Sequence, residues 1–236
     1  DHITGGGGIK SMGGAKLTLV PGDTQYKPEV ARAETERLMR EGAHVLVGAF
    51  DSGTINAMIQ AIKQATKPIP LMIDIGAADQ LTQQGSKYVF RSFVTTQTLG
   101  RKGIEYMLEM FKISGVTPKR AVLLHVTDLF GQVQKDRTLE WHKKLNAPFE
   151  FVEIIAYPTT TQDLSTEVAK AKAAKPDLLL AVTRLNDAIL LVQEMYKQRV
   201  EVQAIMGPGN PGFYHPNFSK TLGKLAEYTL DNVPWY

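Results

Sequence analysis

Two short polar loops hold the residues best suited to binding chemistry. One is Phe50-Asp51-Ser52-Gly53-Thr54, which leaves an apolar stretch at residues 45–47 and enters a run with Ile55, Met58, Ile59 and Ile62 at helical spacing. Ser52 or Thr54 is placed to cap the first turn of that helix, and the N–H groups there suit a carboxylate or another anion. The plainer reading of both hydroxyls is a helix cap and nothing more. The other loop, Thr183-Arg184-Leu185-Asn186-Asp187, follows the apolar run 178–182 and leads into a helix with Ala188, Leu191, Val192 and Met195 on one face. For Arg184 the plain reading is a solvated loop arginine.

Catalytic constellations are scarce around these loops. The five histidines, His2, His44, His125, His142 and His215, share no metal-ligand spacing, and His125 at a strand end reads as a core residue. With no cysteine, the chain has no disulfide, thiol nucleophile or thiolate metal site, which fits an oxidising compartment. No G-x-S-x-G elbow is present. Residues 207–212 spell a literal G-x-G-x-x-G behind a strand, but Pro208 and Pro211 remove N–H donors that would cradle a pyrophosphate. No cofactor and no metal are expected.

The elements that must position the two loops repeat along the chain. Strand-like runs at 16–20, 45–47, 69–73, 88–93, 121–126, 149–155, 178–182 and 202–206 alternate with helical stretches, while the Gly-dense residues 1–14 exclude a regular element. Each of the two loops sits in a helix–strand–loop–helix unit, and the units lie about a domain length apart. This predicts α/β architecture with two Rossmann-like, doubly wound lobes, each built on a parallel sheet. Loops at the carboxyl ends of such strands would face each other across a cleft. The small-residue loop containing Ala77 and Ala78 and the loop Thr127-Asp128-Leu129-Phe130-Gly131 belong to the same edge. An apolar share of 43% in 236 residues supports proper cores, and 27 basic against 24 acidic residues are scattered without a basic stripe. No nucleic-acid partner and no membrane span are expected.

In order along the chain, residues 43–48 with Ser52, Leu81-Thr82 after a Gly-Ala-Ala loop, Tyr88-Val89-Phe90-Arg91, residues 128–131, Pro176-Asp177 and Met206-Gly207-Pro208 resemble the periplasmic binding proteins of branched-chain amino acid type. These are the extracellular receptors of ABC importers. The resemblance covers essentially the whole chain and implies two lobes that close on a ligand: 1–94 as an incomplete first lobe, 95–225 as the second, and 226–236 as a return crossover. It also makes the chain resemble a central fragment, since family members begin earlier and continue further. Carried over residue by residue, the ligand shell falls on Phe50, Asp51, Ser52, Gly53, Thr54, Ala77, Ala78, Asp128, Phe130, Thr183, Arg184, Gly209 and Asn210. Phe130 resembles a family tyrosine without its hydroxyl. Gly209 falls where relatives often place an ammonium-binding glutamate, and Arg184 where they often present an aromatic ring.

These departures point to the ligand class. A buried ammonium without a carboxylate partner costs several kcal/mol, so the missing glutamate argues against an α-amino acid. Arg184 can hold a carboxylate bidentately, with Phe50 and Phe130 as flat walls. The expectation is a periplasmic solute-binding protein that captures a small organic or aromatic acid, with Ser52 or Thr54 and Arg184 on its carboxylate, and hands it to the membrane subunits of an ABC importer. Asp51, Asp128 or Asp187 could instead serve an ammonium, which leaves a branched-chain or other amino acid binder open. A sensory or effector-binding domain uses the same fold, and an α/β enzyme ranks third.

Overall fold

The computed structural model describes residues 5–233, so His2 and positions 234–236 of the expected return crossover lie outside the described residues. Helix α1 (Pro28–Arg40) starts on a proline at its first turn, where the missing N–H is not needed, and the chain leaves it through Gly42 at φ +88°. Strand β1 (Leu46–Val47), helix α2 (Ser52–Gln64), β2 (Leu71–Ile73) and β3 (Val89–Arg91) follow. The three strands pair in parallel in the order β1-β2-β3. Leu46, Leu71, Ile73 and Val89 face one side and pack with Ala31 of α1 and the Ile55, Met58, Ile59 and Ile62 stripe of α2.

A second, five-stranded sheet holds β4 (Arg120–Val126), β5 (Glu150–Tyr157), β6 (Leu178–Val182), β7 (Ala204–Gly207) and β8 (Thr229–Asp231) in the order β5-β4-β6-β7-β8, every pair parallel. The connecting helices are α3 (Thr96–Ser114), α4 (Leu129–Lys144), α5 (Ser165–Ala173), α6 (Leu185–Lys197) and α7 (Pro216–Leu222). Because side chains alternate along a strand, Val122, Leu124 and Val126 of β4 pack with α5, α6 and α7, whereas Ala121 and Leu123 pack with Ile104, Met107 and Phe111 of α3. Helices on both faces explain why β4 and β6 read as unbroken apolar runs.

Three sequence expectations change. Residues 16–20 form no strand, and Leu19 is 90% exposed; the apolar pattern is there, but a strand needs a paired neighbour and β1 pairs only with β2. The stretch 94–98 is not all crossover, since Thr95 caps α3 by accepting from Thr98 N and the helix begins at Thr96. Beyond residue 206 the sequence marks no strand, yet Thr229–Asp231 forms the edge strand β8.

One face of the three-stranded sheet stays open. Val47, Met72 and Phe90 lie in register across β1, β2 and β3, and each is exposed. Parallel sheets ordinarily bury both faces, and a contiguous apolar row attracts apolar probes. Phe90→Lys should lower the fluorescence of ANS bound to the native chain without changing its far-ultraviolet circular dichroism. Equal dye binding by parent and variant would show that this face is covered in solution.

Candidate functional site

The order of the five-stranded sheet places a reversal at β4, whose two neighbours are β5 on one side and β6 on the other. Such a reversal opens a crevice at the carboxyl ends of the strands flanking it. Asp128 follows β4 and Arg184 follows β6, so both stand at that crevice. The cleft there holds about 420 Å³ of atom-free space, open solvent at its mouth included. Its walls come from both sheets: Phe50, Ser52, Ile75, Ala77 and Phe93 from the three-stranded side, and Leu99, Phe130, Arg184, Gly209, Pro211 and Tyr214 from the other.

Arg184 is the N-cap of α6, and its backbone N–H donates to Asp187 Oδ1 at 2.9 Å. Asp187 Oδ2 accepts from the buried Tyr157 hydroxyl at 2.7 Å, and burial raises the Asp187 carboxyl above its ordinary range. The Arg184 guanidinium forms an ion pair with Asp128 through Nη1. It lies 5.7 Å from the Phe130 ring centre and 5.9 Å from that of Phe50, so it bridges the two sides of the cleft. Each such cation–ring contact contributes on the order of 1 kcal/mol. Its Nε is buried and has no hydrogen-bond partner among the described residues. A solvated loop arginine would show none of this.

The start of α2 differs from expectation. Neither Ser52 nor Thr54 is the cap: Asp51 holds that place, accepting from Gly53 N at 2.8 Å and Thr54 N at 3.2 Å. Thr54 is fully buried and its hydroxyl donates to Asp51 Oδ2 at 2.5 Å. The protein's own carboxylate therefore occupies the N–H groups that were expected to hold an anion. Asp caps at least as well as Ser, and a helix that starts one residue earlier gives it the position. Ser52 does line the cleft, with its Oγ accepting from Ala78 N at 3.3 Å.

Of the thirteen residues singled out, Phe50, Ser52, Ala77, Phe130, Arg184 and Gly209 come together on the cleft wall, while the other seven stand behind it. Ala78 is buried in the core of the three-stranded sheet, and Asp128 pairs with Arg184 while accepting from Gly131 N at 2.8 Å. Asn210 is fully buried; its Oδ1 accepts from Thr183 N and Oγ1 and from Gly212 N, tying the loop after β6 to the loop after β7. Gly209 has φ +69°, and a Cβ there would meet Leu99 Cβ at 2.9 Å, so a glutamate at this position would strain the backbone and crowd α3. His125 is a buried core residue with Nδ1 3.0 Å from Val126 O.

Five wall residues escaped the sequence reading: Ile75, Phe93, Leu99, Pro211 and Tyr214. The carboxyl-edge rule could have found Ile75, Phe93, Pro211 and Tyr214, since they follow β2, β3 and β7; nothing local marks Leu99. Also missed was Asp231 at the end of β8. Its Oδ1 accepts from Asn210 N at 3.0 Å, and its Oδ2 is buried without a hydrogen-bond partner. Burial pushes its carboxyl up to about 8, against the opposing pull of the neighbouring backbone N–H groups.

The sequence profile of the periplasmic binding protein family matches residues 1–236. The chain belongs to that family. It is 24% identical over 239 residues to a Leu/Ile/Val-binding protein homolog of Brucella abortus, covering 98% of this chain and 56% of that protein. Among solved structures, a leucine binding protein from Thermotoga maritima superposes with a TM-score of 0.81 at 17% identity, covering 94% of this chain and 60% of that one. A solute binding protein of an ABC transporter from R. palustris, in complex with benzoate, gives 0.78 at 21% identity over 95% of this chain and 58% of that one. The chain thus spans little more than half the length of these relatives, and the shared fold is the type I periplasmic binding protein fold.

Within this family member, the proton on Asp231 has a measurable consequence. A folded-state value near 8 lies above the ordinary carboxyl value of about 4, so the native state holds the proton more tightly than the unfolded chain. That contribution to stability is complete below about pH 4 and is lost as pH rises through about 8. Asp231→Asn should therefore raise Tm by an amount that grows across this window, reaching about 4 °C or more at its upper end. A Tm difference that stays flat with pH would contradict the assignment.

Proposed function

We propose that the protein is an extracytoplasmic solute-binding protein that captures a small organic or aromatic acid for an ABC importer, with residues 1–94 and 95–225 as its two lobes. The observation that carries this reading is Arg184. A guanidinium 5.7 and 5.9 Å from two phenylalanine ring centres, paired with Asp128 through Nη1 and with a buried, unpartnered Nε, suits a carboxylate beside an apolar or aromatic body. The benzoate complex of the R. palustris relative supports the same ligand class. The start of α2 plays no part in the clamp beyond Ser52, because Asp51 has taken its N–H groups. Contact with walls from both sheets accounts for closure, since a ligand favours the closed form by its differential affinity for it.

An amino acid ligand is the second reading, supported by the Leu/Ile/Val-binding names of the curated relatives and by Asp231, a carboxylate near the cleft that an ammonium could use. Calorimetry on the full-length protein with matched pairs separates the two: phenylacetate against phenylalanine, and 4-methyl-2-oxopentanoate against leucine. The acids should bind tighter than the amino acids. Arg184→Ala leaves a desolvated carboxylate unpaired at roughly 2–5 kcal/mol, so affinity should drop about thirtyfold or more. Arg184→Lys keeps the charge, loses the fork and should fall between. Tighter binding of the amino acids would sink the acid reading, and unchanged affinity in Arg184→Ala would remove the clamp.

A further inference from the structure

Among the described residues that line the cleft, Arg184 is the one charged side chain. Its charge is already matched. Asp128, which stands behind the wall at the end of β4, pairs with Nη1 of the guanidinium. Asp128 is not free to swing clear, because its Oδ1 also caps α4 by accepting from Gly131 N at 2.8 Å. Gly131 in turn lies so close to β4 that a Cβ on it would run into the Val126 carbonyl, so the start of the helix is locked against the end of the strand.

This pairing leaves Arg184 with a donor to offer but without surplus charge. Nη1 is taken, whereas Nε is buried without a hydrogen-bond partner. A ligand carboxylate on the remaining donors would share one guanidinium with Asp128. Two carboxylates so placed, each at ordinary charge-assisted length, stand roughly 6 Å apart. At an effective dielectric of about 20 their repulsion weakens binding by up to roughly a hundredfold. Asp128 also holds the guanidinium still, but ordering one long side chain is worth only about threefold to tenfold. Repulsion is the larger effect. We propose that Asp128 is a specificity-determining residue of the cleft, which limits the ligand to a single negative charge. This rests on the acid reading above and narrows it to monocarboxylates. The first carboxylate gains hydrogen bonds from Arg184 against the repulsion of Asp128. A second would enter the field of both carboxylates and find no further cation on the wall. A neutral polar group of the same shape escapes both penalties.

The test is calorimetry on the full-length protein and on Asp128→Asn with phenylacetate, 4-carbamoylphenylacetate and 4-carboxyphenylacetate. The last two match in shape and differ by one charge. Asn caps a helix about as well as Asp, so the variant keeps the start of α4 and loses only the charge. The parent should bind the carbamoyl compound at least about tenfold more tightly than the dicarboxylate. Asp128→Asn should tighten phenylacetate by about tenfold, the repulsion less the lost brace, and should shrink the carbamoyl-to-carboxy ratio by about threefold or more. Asp128→Ser, which also caps, should move both readings the same way and decides if the asparagine variant fails to fold. Phenylacetate bound no more tightly by the variants makes Asp128 a brace alone and overturns the charge limit while leaving the acid reading standing. A parent that takes the dicarboxylate as well as the carbamoyl compound overturns it too. If neither derivative binds, the parent-to-variant ratio for phenylacetate or 4-methyl-2-oxopentanoate decides. If the parent binds neither of those acids, the acid reading falls and the charge limit falls with it.

Discussion

Everything at the cleft depends on the eight strands of the described residues pairing in parallel with their neighbours. Parallel pairing sends every strand's carboxyl end to one edge of its sheet, so residues as distant in sequence as Phe50, Phe93, Phe130, Arg184 and Tyr214 reach one cavity. An antiparallel pair would divide these loops between opposite edges. The two faces of β4 and β6 must then both be covered, which commits α3 and α4 to one side and α5, α6 and α7 to the other. The sheet order adds the reversal at β4, and the Arg184–Asp128 pair stands where that reversal leaves room.

Much of this was legible in the residues because it is local. Strand β6 coincides with its apolar run, which is bounded by Asp177 and Thr183, and the Ile55–Ile62 stripe announced α2. What failed was non-local. The run at 16–20 has strand composition, but pairing is decided by a neighbour that no window of sequence contains. Strand β8 is three residues long with no apolar run to mark it, and it exists because β7 offers an edge. At the cleft, loops were placed on the correct edge, whereas which of their side chains turn inward depends on packing between the two sheets. Asp51 shows the finer limit: Asp, Ser and Thr all cap well, and only the register of the first turn says which one does.

The walls of the cleft are held by charges that never reach it. Arg91 is half-buried, and its guanidinium donates to Ala77 O at 2.9 Å and Ala78 O at 2.8 Å, fixing the small-residue loop from behind. One residue on, Asp79 accepts from Gln97 N at 3.0 Å at the start of α3 and from Arg137 Nε of α4 at 2.7 Å. Burial alone would raise the Asp79 carboxyl, but these donors outweigh it and hold the group below its ordinary range. The pair therefore stays charged, and it joins the loop after β2 to both helices on that face of the five-stranded sheet.

This arrangement separates two uses of buried charge within one molecule. Asp79, Asp51 and Asp128 each have donors that satisfy them, so their cost of burial is offset within the structure. Arg184 on the cleft wall and Asp231 away from it are only partly satisfied, with Nε on one and Oδ2 on the other left without a hydrogen-bond partner among the described residues. Full satisfaction throughout would give a more stable protein with nothing to offer a ligand. Among the described residues Arg184 Nε is the buried unpartnered side-chain atom on the cleft wall itself, and a ligand that reached it would gain a hydrogen bond the fold has withheld.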